Sequence, residues 1–171
     1  MNYILAFVGP SGSGKTTLIS ELLKALPSQT GILKSTTTRP SRGEEDAIHY
    51  DFISVAEAEE TVADGRAATH VVYAGNHYIY ERREIERSLA KFHACCAVVE
   101  PTILQLVESG YPMKVIRVLP EHQNFIREGR QAADLERSKI AVPIDLTITN
   151  SFEPGGLKKA TDQLVAYISA L

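Results

Sequence analysis

Cysteine is scarce in this chain, and its two cysteines are neighbours, Cys95 and Cys96. Adjacent residues cannot supply a disulfide framework, so both are expected to be small buried hydrophobes in a reducing compartment. Long apolar runs are missing as well. None approaches the ~20 residues of a membrane span, and no basic stretch followed by a long apolar core stands at the start. A cytoplasmic protein with no membrane partner is the expectation. Excess charge is also missing. A net charge of −3 gives no basis for broad affinity to nucleic acid or to an anionic membrane. No internal repeat, low-complexity tract or long linker divides the sequence. What remains is 171 residues, 44% hydrophobic and 23% charged, which suits one domain with a full core.

What is present begins with Gly9-Pro10-Ser11-Gly12-Ser13-Gly14-Lys15-Thr16. This run fits the phosphate-binding pattern G-x-x-x-x-G-K-[ST] without a mismatch. An apolar run, Tyr3 to Val8, precedes it, and Leu18, Leu22, Leu23 and Leu26 follow at helical spacing. Strand, loop and helix are the setting in which such a loop cradles a polyphosphate with backbone N–H groups and a helix N-terminus. Gly9, Ser11, Gly12, Ser13, Gly14, Lys15, Thr16 and Thr17 are therefore the expected ATP site. Lys15 would reach the β- and γ-phosphates, and the Thr16 hydroxyl would hold Mg²⁺. A GTP switch is disfavoured by a further absence, since no Asn-Lys-x-Asp or Thr-Lys-x-Asp motif occurs.

The outer thirds alternate strand and helix. Gly31 to Leu33, Cys95 to Val99, Lys114 to Leu119 and Asp145 to Asn150 read as strands. Pro101 to Ser109 reads as a helix ending at Gly110, and Leu157, Ala160, Leu164, Ile168 and Leu171 mark another. The fold class expected is α/β, a P-loop NTPase-type parallel sheet flanked by helices. The middle differs. Short segments at 49–53, 69–74 and 77–80, with a helix over 55–64 and a hairpin cue at Gly75-Asn76, predict a small β-rich insertion. A helix from Glu81 to about Lys91 closes it.

Ser35-Thr36-Thr37-Thr38-Arg39-Pro40-Ser41-Arg42 places two arginines three apart on a Pro-ordered loop. Guanidinium forks bind phosphate oxygens bidentately, although two solvated arginines on a turn would look the same. This run, with His-Tyr-Asp-Phe-Ile-Ser at 49–54 and Gly-Asn-His-Tyr at 75–78, resembles the monophosphate-binding region of guanylate kinases. The resemblance is dense over residues 5–20, 35–54 and 73–80 and faint in the last third. It implies a single domain, with a core of 1–34 and 92–171, an acceptor-binding insertion of about 35–91 and a short lid of about 120–140. It implies that Arg39, Arg42, Tyr50 and Tyr78 bind the acceptor phosphate and that Ser35 touches the base. Arg127, Arg130 and Arg137 would be lid arginines that stabilise charge on the transferring phosphoryl group. Asn150 falls where the family places an Asn near the adenine of ATP. Glu100 falls where it has an acid able to hold a Mg²⁺-bound water or orient the acceptor.

The pattern also lacks something. Thr69 stands where guanylate kinases keep one base-reading acid, and Val98 where they keep another. No acidic residue lies between Asp64 and Glu81 to replace the first. A site that reads polar edges discriminates by leaving them unpaired for the wrong ligand, so guanine selectivity is expected to weaken. Ile79 also replaces the glycine usual after the second tyrosine. The expected function is ATP-dependent phosphoryl transfer to a small phosphorylated acceptor, a nucleoside monophosphate, with GMP or dGMP as the family default. A phosphosugar kinase of the ribose 1,5-bisphosphate type and a non-catalytic guanylate-kinase-like binding module are the alternatives. The sequence leaves the oligomeric state open.

Overall fold

Ile4, Leu5, Ala6 and Phe7 are all fully buried, which requires a strand covered on both faces. They belong to β1 (Tyr3–Val8), the middle strand of a five-stranded sheet. Its companions are β2 (Thr30–Ile32), β7 (Ala94–Val98), β8 (Met113–Pro120) and β9 (Leu146–Asn150), in the order β2-β7-β1-β8-β9. Every pairing is parallel. The structure, a computed structural model, describes residues 1–121 and 141–171.

Strand alternation divides β1 between two cores. Leu5 and Phe7 pack with Leu18, Ile19 and Leu22 of α1 (Lys15–Ala25) and with Leu164 and Ile168 of α6 (Gly156–Ser169). Ile4 and Ala6 point the other way, toward Ile85 of α4 (Arg82–Lys91) and Leu106 of α5 (Ile103–Glu108). Helices thus cover both faces, and the α/β sheet expected from the alternation is present. Cys95 and Cys96 are free and fully buried, one in each core.

A second sheet holds β3 (Ser35–Thr37), β4 (Tyr50–Phe52), β5 (Ala67–Tyr73) and β6 (Asn76–Glu81), in the order β4-β3-β6-β5. β3 runs parallel to β4 and antiparallel to β6. The helix read from Val55 is α3 (Val55–Ala63), opened by a capping box in which Ser54 and Glu57 satisfy each other's backbone N–H groups. Gln105 of α5 bonds both backbone groups of His70 on β5, at 2.6 and 2.8 Å. That contact ties the second sheet to the helical layer of the first.

Four local readings change. β3 is a strand where a loop was expected, and α2 (Asp46–His49) is a single turn that the sequence did not announce. The segment from Pro101 divides into a 3-10 turn, Glu100–Thr102, and then α5. The hairpin turns at Ala74-Gly75, one residue before the expected pair. Both residues have positive φ, 49° and 76°, as the type I′ geometry that matches strand twist requires.

Candidate functional site

The loop after β1 lies at the carboxyl end of the parallel sheet, the usual ligand edge of such folds. Two of its glycines are fixed by close approach as well as by positive φ. A Cβ on Gly9 would fall 2.1 Å from the Val118 carbonyl oxygen, and one on Gly14 would fall 2.3 Å from Asn150 Nδ2. The loop therefore presses against β8 and the end of β9. Gly14 begins α1 with no side-chain cap on the first helical N–H groups, which leaves donors suited to an anion. Lys15 Nζ donates to the carbonyls of Gly9, at 2.6 Å, and Pro10, at 3.0 Å. Ser13 Oγ is buried and has no hydrogen-bond partner among the described residues. An unpaired buried hydroxyl in a loop of uncapped N–H groups is what a polyphosphate would satisfy. The residues present therefore fit ATP.

This loop and the second sheet share one cleft of about 1210 Å³. Ser11, Gly12, Gly14, Lys15, Thr16 and Thr17 line it from the core side, and Arg39, Arg42, Tyr50 and Tyr78 from the insertion side. The volume exceeds the ~300–1,000 Å³ of a typical single-ligand pocket.

Arg39 is 7% exposed and held from several directions. Its Nη1 donates to Asp46 Oδ2 at 3.0 Å and to the Pro40 carbonyl at 2.9 Å. Its guanidinium carbon lies 5.0 Å from the Tyr50 ring centroid and 5.9 Å from that of Phe52. Asp46 Oδ2 also accepts the backbone N–H of Arg42 at 2.7 Å. Burial works against the charge on both partners. The hydrogen bond and opposite charge outweigh it, raising the Arg39 pKa and lowering that of Asp46. Asp46 and Phe52 carried no role in the sequence reading. The acid four residues after Arg42 was the available signal, and its meaning depends on the turn that brings it back. His49, on the same wall of the cleft, has its pKa lowered by burial. Its Nδ1 has no partner among the described residues.

Other expected residues lie behind the cleft surface. Asn150 is 3% exposed and donates from Nδ2 to the Ser13 carbonyl at 3.0 Å, so its amide braces the loop from below. Ser35 and Thr69 are buried and do not line the cleft, whereas Val98 does. Glu100 opens the 3-10 turn at the carboxyl end of β7. Arg127, Arg130 and Arg137 lie outside the described residues. Among those residues, no group of three or more His, Cys, Asp or Glu side chains forms a metal cluster, so a cation here would depend on phosphate oxygens for much of its coordination. No helix among them is long and apolar enough to cross a membrane.

Comparison with known proteins agrees with this geometry. The family model described as guanylate kinase matches residues 2–144. A guanylate kinase of Mannheimia succiniciproducens is 30% identical over 152 residues, covering 84% of this chain and 72% of the relative. One from Thermobifida fusca is 28% identical over 178 residues, covering 95% and 88%. The crystal structure of guanylate kinase from Anaplasma phagocytophilum superposes with a TM-score of 0.77 at 21% identity, over 99% of this chain and 85% of that one, a likeness of fold. The matched phosphate loop, the facing arginines and the length of the match together show that the chain belongs to the guanylate kinase family.

Proposed function

We propose that this protein transfers the γ-phosphoryl group of ATP to a nucleoside monophosphate. The observation that carries the reading is the shared cleft, with a polyphosphate loop on one wall and an arginine–tyrosine cluster on the other. The named relatives are guanylate kinases, which favours a monophosphate over a phosphosugar acceptor or a non-catalytic module.

The loop N–H groups, Lys15 and Ser13 hold the donor phosphates, and Asn150 keeps the loop in shape. Arg39 and Arg42 neutralise the acceptor dianion, which would otherwise repel the incoming group. Tyr50 and Tyr78 donate hydroxyls to its oxygens without adding charge. Thr16 would supply a hydroxyl ligand to Mg²⁺ and Glu100 an acid for a metal-bound water, and the cation would offset the charge of the donor phosphates. Alignment of acceptor oxygen and donor phosphorus, together with charge stabilisation, supplies the catalysis, and no covalent enzyme intermediate is needed. In this reading residues of about 35–91 form the acceptor-binding insertion in a single domain. The two free buried thiols suit a reducing, cytoplasmic setting.

A coupled ADP-release assay with ATP, Mg²⁺ and a panel of monophosphates tests this. ADP formation should depend on an acceptor and disappear in Lys15→Ala. Substantial acceptor-dependent turnover by Lys15→Ala would remove the assigned donor site.

A further inference from the structure

Among the described residues, Phe152 is the one aromatic side chain that the core, rather than the insertion, contributes to the cleft lining. It is 48% exposed and belongs to neither core cluster. A phenyl ring outside the packed core, on the wall of a ligand cleft, offers apolar surface that a ligand ring can cover.

The ring stands beside the phosphate loop. A Cβ built on Gly14 would lie 3.9 Å from Phe152 Cε1, and Ser11, Gly12, Lys15 and Thr16 line the same cleft. A nucleoside attached to a triphosphate on this loop lies along that cleft, and the core side offers it one ring. The chain around Phe152 is also held. Residues 151–155 join β9 to α6. The Glu153 N–H donates to Ser151 Oγ at 3.3 Å, and the Gly156 N–H donates to the Glu153 carbonyl at 2.9 Å. A Cβ on Gly156 would collide with the Ser151 carbonyl oxygen, so glycine permits this close return. A turn fixed in this way presents its side chain at lower ordering cost than a mobile loop. The neighbouring amide is committed elsewhere. Asn150 is buried, does not line the cleft, and donates from Nδ2 to the Ser13 carbonyl. Ring overlap, rather than hydrogen bonds from Asn150 to the base edge, is what this wall supplies.

We infer that Phe152 is the stacking platform for the base of the nucleoside triphosphate donor, and that it favours ATP over pyrimidine triphosphates because a two-ring base overlaps a phenyl ring more fully. This rests on the reading of the glycine loop as the donor site. Base–aromatic stacking is worth about 5- to 150-fold in affinity.

The test is calorimetric titration of wild type, Phe152→Ala and Phe152→Leu with ATP, CTP and inorganic tripolyphosphate, each with Mg²⁺. Wild type should bind ATP about tenfold or more tighter than CTP. Both variants should weaken ATP by about tenfold, narrow the ATP-to-CTP ratio and leave tripolyphosphate unchanged. Phe152→Leu keeps apolar bulk without a ring, so it separates stacking from simple cover. The chain has no tryptophan, so Phe152→Trp adds a single fluorophore at this position; ATP should quench it and tripolyphosphate should not. An ATP affinity unmoved by Phe152→Ala, or an equal loss for ATP and tripolyphosphate, would overturn the inference while leaving the donor site in place. Failure of wild type to bind either ATP or tripolyphosphate would remove the donor site itself, and the inference with it.

Discussion

Arg39 is pinned before any ligand arrives. Asp46 and the Pro40 carbonyl fix one nitrogen, and Tyr50 and Phe52 fix the plane of the guanidinium. A preset fork loses less entropy on binding a phosphate than a mobile one. Lysine keeps the charge and loses the fork, so Arg39→Lys should raise the acceptor KM about tenfold or more with little change in the ATP KM; steady-state kinetics with each substrate varied in turn would show the split. Asn150 should show the opposite split. Asn150→Ala removes the donor to Ser13 and opens space behind Gly14, so the ATP KM should rise several-fold while the acceptor KM stays put. That Arg39 and Arg42 share one short loop was legible in the sequence because spacing and loop composition are local, and the structure sets that loop on the cleft wall. The Asp46 clamp was not, because it requires knowing that α2 folds an acid back over Arg39. The Asn150 brace spans 137 positions, and no local pattern reports a contact of that separation.

Among the elements, strand and helix identity followed from apolar periodicity wherever an element was buried on a large face. β1, β7 and β8 fall within a residue or two of their expected limits. β3 escaped because three polar residues, Ser35 to Thr37, carry no alternation signal. Their strand form comes from pairing with β4 and β6. The hairpin was legible as a turn, but its register was not, because Ala74 is an unfavourable residue at φ 49°. Such a backbone costs about 1–2 kcal/mol for an L-residue, offset in part by the ~0.5–1 kcal/mol by which glycine loses more freedom on folding. Ala74→Gly should therefore stabilise the protein by about 0.5–1 kcal/mol in denaturant titration. No gain would mean that the turn is held elsewhere by contacts that compensate for the strain.

Across the whole molecule, buried ionisable groups set the response to solution conditions. Burial is the leading cause that lowers the pKa of both His49 and His70 from the ordinary 6.5. His70 is further opposed by His77, whose ring nitrogen lies 3.0 Å away. The folded state thus binds these protons less readily than the unfolded state. Their contribution is fully present above about pH 6.5 and is lost as pH falls through the depressed folded values. Urea titrations from pH 7.5 to 5 should show stability falling with pH, and His49→Gln with His70→Gln should flatten that slope. Burial also pushes the Cys95 thiol up to about 11 and raises Cys96 further. Thiol reagents at pH 7.5 should therefore label neither residue in the native protein and both after unfolding.

If the phosphate loop and the arginine–tyrosine wall act together, one cleft holds two phosphorylated ligands at once. A bisubstrate ligand, adenosine joined through five phosphates to the nucleoside that turns over fastest, tests it by calorimetric titration. Binding should be at least 100-fold tighter than that of ATP or the monophosphate alone, with that advantage lost in either Lys15→Ala or Arg39→Ala. Binding no tighter than ATP and indifferent to Arg39→Ala would contradict it.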